Sequence, residues 1–142
     1  EAKISKDSFL FIDAAGGDDN RLTPKAEVEL LEYMRKLPKD RFKKFYDALP
    51  ILGLDGSLAD FGKKIEATGK VRAKTGTGVL YNAATAEMFL TTQTLTGYVE
   101  GKNGHLIEFM ISVNNGKMPT IEDIFPIFED LAQMTGVIYD RS

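Results

Sequence analysis

Val28, Leu31 and Met34, with Leu30 and Leu37, recur at helical spacing. They predict a helix capped by Thr23, with Pro24 at its first position, and stopped by Pro38. A second helix follows, with Phe42, Phe45, Tyr46 and Leu49 on one face and Lys43, Lys44 and Asp47 on the other. Before both lies the apolar run Phe9 to Ile12, read as a buried strand, and then the loop Asp13 to Asn20. Pro50 to Ser57 is rich in turn residues, and a short helix is expected over Leu58 to Ile65.

After a break at Thr68-Gly69, the pattern changes from helical to alternating. Val71 to Thr77 reads as a strand. Ala83 to Leu90 fits either helix or strand; strand is preferred over Glu87 to Thr92. Leu95 to Glu100 and His105 to Val113 are strands joined through Gly101-Lys102-Asn103-Gly104, where Asn-Gly marks a hairpin. In the second of these Ile107, Phe109, Ile111 and Val113 share one wholly apolar face, expected in the core. Thr120 caps a last helix, with Glu122 and Asp123 in its first turn. Its buried stripe is Phe125, Phe128, Leu131 and Ala132. Pro126 either kinks this helix or begins it, and Gly136 is a plausible stop. Clustered strands beside clustered helices predict an α+β fold, an antiparallel sheet packed with helices in one domain or part of one.

Composition narrows the function. Hydrophobic residues make up 43% of the 142, charged residues 27%, and the net charge is -3. That balance gives no reason to expect nucleic-acid binding. No apolar run reaches the roughly 18 residues of a membrane span. Cysteine is absent, which excludes disulfides and thiol chemistry. His105, the sole histidine, cannot build a zinc cluster of the usual kind and reads as an exposed strand end. Asp13, Asp18 and Asp19 do not follow calcium-loop spacing. No metal or cofactor is therefore expected. The chain starts at Glu1 rather than Met, which suggests a processed product or an excised fragment.

Lys74-Thr75-Gly76-Thr77 ends the Val71 strand. An edge strand offers free N–H and C=O groups to an extended peptide. Lys74 supplies positive potential for a carboxylate or for a serine proton-transfer network. Thr75 and Thr77 offer hydroxyl donors, and Gly76 lets a ligand approach the backbone. The N–H of Thr77 is a candidate donor to a developing oxyanion.

The run Ala67 to Thr77 resembles the corresponding stretch of the low-molecular-mass penicillin-binding proteins of the D-Ala-D-Ala carboxypeptidase/endopeptidase family, peptidase family S13. Leu49-Pro50-Ile51-Leu52-Gly53-Leu54-Asp55-Gly56-Ser57-Leu58, Asn20-Arg21-Leu22-Thr23-Pro24 and Leu95-Thr96-Gly97-Tyr98-Val99 are similar to further family segments, in the same order. The resemblance implies a penicillin-binding-protein/β-lactamase-like transpeptidase fold and an extracytoplasmic setting. It also implies a serine peptidase acting through an acyl-enzyme on peptidoglycan stem peptides, with β-lactams acylating the same serine. Lys74 would be the catalytic residue, and Thr75, Gly76, Thr77, Asn20 and Asp18 would bind substrate.

The sequence departs from the family in two places. No serine here has a lysine three residues on, so the Ser-x-x-Lys nucleophile motif would lie in an N-terminal half of the domain. The second motif, Ser-x-Asn, is altered as well. In one register Ala15 takes the serine position; in another Asp18-x-Asn20 replaces Ser-x-Asn. Three readings follow: part of a carboxypeptidase, a degenerate homologue that binds cell-wall peptides or a protein partner, or a β-lactamase relative. A half-domain with an open sheet edge would also favour a homodimer.

Overall fold

Thr23 opens the first long helix as its residue type predicts: its hydroxyl accepts from Ala26 N at 3.2 Å, and Pro24 follows at the first helical position. In the computed structural model, which describes residues 2–17 and 19–142, this helix is α1, Pro24–Arg35, followed by α2, Lys39–Asp47. Three long strands, β3 (Val71–Asn82), β4 (Glu87–Glu100) and β5 (Leu106–Met118), form an antiparallel sheet in the order β3-β4-β5. The last helix, α3, spans Ile124–Asp140. A separate ribbon pairs β1 (Phe9–Leu10) with β2 (Arg21–Leu22).

Helices cover both faces of the sheet. On one face Val71, Ala73, Leu95, Val99 and Phe109 pack against Leu131 and Ala132 of α3. On the other, Tyr98 is fully buried among Phe42, Phe45 and Tyr46 of α2, and its hydroxyl donates to the Leu31 carbonyl of α1 at 2.8 Å. Arg35 of α1 adds an ion pair to Glu108 of β5 at 2.8 Å. Arg72 lies 5.0 Å from the Tyr46 ring centroid and donates to the Tyr46 and Asp47 carbonyls, so its charge meets the negative end of α2.

Several expectations need correction. The run Phe9 to Ile12 is not a buried strand: only Phe9–Leu10 pair, and the four residues are 39–64% exposed, because no layer among the described residues lies over them. The helix expected over 58–65 is replaced by a 3-10 turn, Gly56–Leu58, and further turns. Gly62 adopts φ +62°, which a continuous helix does not allow, and its N–H is held by Glu129 Oε2 of α3 at 3.0 Å. The strand preferred over Glu87 to Thr92 is present and continuous with the one expected over Leu95 to Glu100: β4 runs unbroken from Glu87 to Glu100, and residues 83–86 turn the hairpin from β3.

A bulge in β4, where Thr92 faces Gly78 but Leu90 faces Val79, reverses the alternation. Leu90 therefore turns to the α3 side and packs with Met118 and Ile124. Asn115 of β5, at φ +60°, makes the matching reversal, and Val113 ends 37% exposed rather than in the core. In α3 the buried stripe is Ile124, Leu131, Ala132 and Thr135 with Phe128 partly buried, while Phe125 is 57% exposed. Pro126 falls in the first turn of α3, where the missing N–H costs nothing. Gly136 does not stop α3, which continues to Asp140 over Ile65.

Gly97 sets how closely β3 and β4 approach. A Cβ there would run into the Arg72 carbonyl oxygen and stand 2.6 Å from Ala73 Cα. Gly97→Ala should therefore lower stability by at least about 2 kcal/mol, read from chemical denaturation. Tyr98→Phe, which removes one buried hydrogen bond and little volume, should cost about 1 kcal/mol in the same measurement.

Candidate functional site

The candidate site is built on the free margin of β3. Pro50 to Leu52 lies against the start of this strand: Ala73 N donates to Pro50 O and Leu52 N to Val71 O, each at 3.0 Å. Val71 and Ala73 thus turn their backbone groups away from β4. By the two-residue period of a strand, Thr75 and Thr77 do the same, beyond the end of the covering segment. Since β3 is a sheet edge, these groups face outward with no strand beside them among the described residues.

The same alternation separates the side chains. Thr75 and Thr77 share the face of Ala73, opposite their β4 partners Leu95 and Gln93. Lys74 and Gly76 share the face of Arg72, opposite Thr96 and Thr94. Lys74 is exposed, and its Nζ donates to the Thr75 carbonyl at 2.7 Å. No described carboxylate forms an ion pair with it. Across the ladder from Lys74 stands Thr96; burial pushes the carboxyl of Glu27, on α1, above its ordinary pKa, partly offset by the Thr96 hydroxyl.

Two contacts at this edge were not anticipated. Thr75 Oγ1 lies 3.3 Å from Ser57 Oγ, so the turn after Pro50 serves the site as well as the strand margin. Asp55 Oδ1 holds that turn by accepting from Ile51 N at 2.6 Å. Thr77 Oγ1 donates to Gln93 Oε1 at 3.0 Å. Ser57 sits in a sequence segment already singled out; Gln93 carried no motif, and only strand register reveals it. At Gly76 a Cβ would stand 2.6 Å from Thr94 Oγ1, across the ladder. Tyr81 lies four residues beyond Thr77, about 13 Å along the strand, near the hairpin turn.

Asn20 stands apart from this edge. Its Oδ1 accepts from Ile12 N at 2.7 Å, and its Nδ2 donates to Asp13 Oδ1 at 3.0 Å. Asp13 Oδ1 also accepts from Ala15, Gly16 and Gly17 N at 2.9 to 3.1 Å. Asp13 and Asn20 thus tie the loop to itself, and no hydrogen bond joins Asn20 to the Lys74 strand among the described residues. Asp18, the other loop residue expected to bind substrate, lies outside the described residues. Among the described residues no group of three His, Cys, Asp or Glu side chains could hold a metal, and no helix is long and apolar enough to cross a membrane.

The profile of the D-Ala-D-Ala carboxypeptidase 3 (S13) family matches residues 1–129. The chain belongs to this family. Among solved structures, penicillin binding protein 4 (dacB) from Haemophilus influenzae matches with a TM-score of 0.76 at 21% identity, covering 97% of this chain and 29% of that one. The same protein complexed with a novel β-lactam matches with a TM-score of 0.75 at 21% identity, covering 97% and 30%. This S13 family chain therefore spans less than a third of the length of those relatives and shares their α+β fold. Among curated proteins nothing matches.

The Asp13 loop makes a pH prediction. The backbone N–H groups of Gly17, Ala15 and Gly16 and the Asn20 amide hold the Asp13 carboxyl below its ordinary pKa. A depressed folded pKa means the loop's stabilisation is complete above the unfolded aspartate value and is lost as pH falls through the lower folded value. The amide resonances of Ala15, Gly16 and Gly17 should move together in that acidic window and stay still between pH 5 and 7, and Asp13→Asn should abolish the transition. A midpoint at or above the ordinary aspartate value would contradict the assignment.

Proposed function

We propose that this chain is part of a serine D-Ala-D-Ala carboxypeptidase that acts on peptidoglycan stem peptides outside the cytoplasm. The observation that carries the reading is the free β3 margin, with the exposed Lys74 ammonium beside the outward N–H groups of Thr75 and Thr77. A peptide tail aligned there gains main-chain hydrogen bonds from Thr75 and Thr77. Its carboxylate meets the positive field of Lys74 and the Thr75 and Thr77 hydroxyls. The Thr77 N–H then faces the carbonyl oxygen that becomes negative in the tetrahedral intermediate.

Nucleophile and general base come from a further part of the domain in this reading, since no Ser-x-x-Lys is present in the sequence. The exposed apolar run Phe9 to Ile12 supports such a part, because a surface of that kind is commonly covered by another piece of protein. The Haemophilus relative is complexed with a β-lactam; in this reading a β-lactam is a second ligand of the present protein. A homodimer through the free β3 margin would compete with peptide for the same backbone groups.

A second reading is favoured by the loop 13–20. With Ala15 in it and Asp13 and Asn20 bonded to each other, it offers no serine hydroxyl for proton relay. A protein of this kind would bind cell-wall peptides without turning them over.

A fluorescent penicillin separates the two. The full-length protein carrying this chain should be labelled covalently, and Lys74→Ala should slow labelling by about 100-fold or more. Absence of labelling with retained binding of a D-Ala-D-Ala peptide would favour the binding protein. A Lys74→Ala variant labelled at the normal rate would remove Lys74 from the site.

A further inference from the structure

Gln93 is fully buried in the middle strand of the sheet, and half of its amide is unused. Its Oε1 accepts the Thr77 hydroxyl proton at 3.0 Å, while its Nε2 has no hydrogen-bond partner among the described residues. The cross-strand neighbour on its other side, Val113, is apolar and offers none. A buried amide donor left unpaired is costly to the fold, and a methionine of similar length would avoid that cost. The side chain is therefore poorly explained by stability. It is well explained by its one partner, Thr77, whose backbone faces the open edge.

The unused Nε2 also makes the amide reversible. The terminal torsion of a glutamine is broad and roughly two-fold. Exchanging Oε1 and Nε2 sacrifices no hydrogen bond at the old Nε2 position, because none is made there. After the exchange Nε2 donates to Thr77 Oγ1, and the Thr77 hydroxyl proton is free to turn outward. Before it, the proton is held inward and Thr77 presents only lone pairs.

Given the reading of the β3 margin as a peptide-carboxylate site, on which this rests, we propose that Gln93 is the positioning residue for Thr77, a buried amide that turns over to deliver the Thr77 hydroxyl proton to an anionic ligand. Gln93 does not touch the ligand. It sets the direction of a hydroxyl that does, and it favours a carboxylate over a neutral end group.

The test uses the full-length protein carrying this chain, with N-acetyl-D-alanyl-D-alanine and its C-terminal carboxamide as probes in calorimetric titrations. Gln93→Met should weaken binding of the acid by about three- to tenfold, the range of one hydrogen bond, and leave binding of the carboxamide unchanged. In a Thr77→Val background the same substitution should add nothing. The melting temperature of Gln93→Met should equal or exceed that of the wild type. The proposal fails if Gln93→Met binds the acid as tightly as the wild type, if both probes lose equally, if the loss persists in Thr77→Val, or if the variant melts several degrees lower. A wild type that binds neither probe removes the carboxylate site itself and the role of Gln93 with it; a wild type that binds the acid while Gln93→Met binds it equally removes Gln93 alone.

Discussion

The ladder between β3 and β4 governs the candidate site. Its hydrogen bonds oblige successive residues of β3 to turn alternately toward and away from β4, so Lys74 and the two threonines can occupy one edge without crowding one another. The ladder can form at this spacing because Gly97 lets β4 lie against Arg72 and Ala73. Both helical layers then depend on the same sheet: α3 covers Val71, Ala73 and Val99, while α1 and α2 close over Tyr98. Among the described residues no strand lies along the edge beyond Ala73, because Pro50 to Leu52 covers only the start of the strand.

That economy explains why residues near the site do structural and chemical work together. Arg72 neutralises the end of α2, and Asp55 holds the turn that carries Ser57 to Thr75. The bulge after Gly78 has a similar double effect. It leaves the lysine–threonine segment in one register and shifts the outer part of the hairpin into another, where Leu90 anchors the start of α3. The site strand and the hairpin tip thereby follow separate packing demands on one continuous pair of strands.

Elements set by contacts within a few residues were legible in the sequence. Thr23 with Pro24 started α1, Thr120 and Asp123 formed the capping box before α3, and Asn103-Gly104 turned the hairpin between β4 and β5. The lysine and threonines of the candidate site were legible too, since strand alternation and residue type suffice to put them on a strand. Other features answered to distant partners. Gly62 left the helical conformation where Glu129 of α3 holds its N–H, and Gly136 stayed helical where α3 lies over Ile65. Phe125 had the right residue type for a core but the wrong angle on α3. Nothing local marked Gln93, whose meaning lies in a strand sixteen positions away.

The sequence by itself determined the α+β class, the helix caps, the tight hairpin and the chemical groups available at the lysine–threonine strand. These depend on intrinsic conformational preference and on periodicity, which act over one or two turns of chain. Only the tertiary structure decided that β3 is an edge, that its margin is covered as far as Ala73 and open beyond, and that a buried glutamine stands behind Thr77. Strand order, register shifts and burial are properties of segments brought together from far apart, and hydrophobic pattern alone does not specify which segments meet.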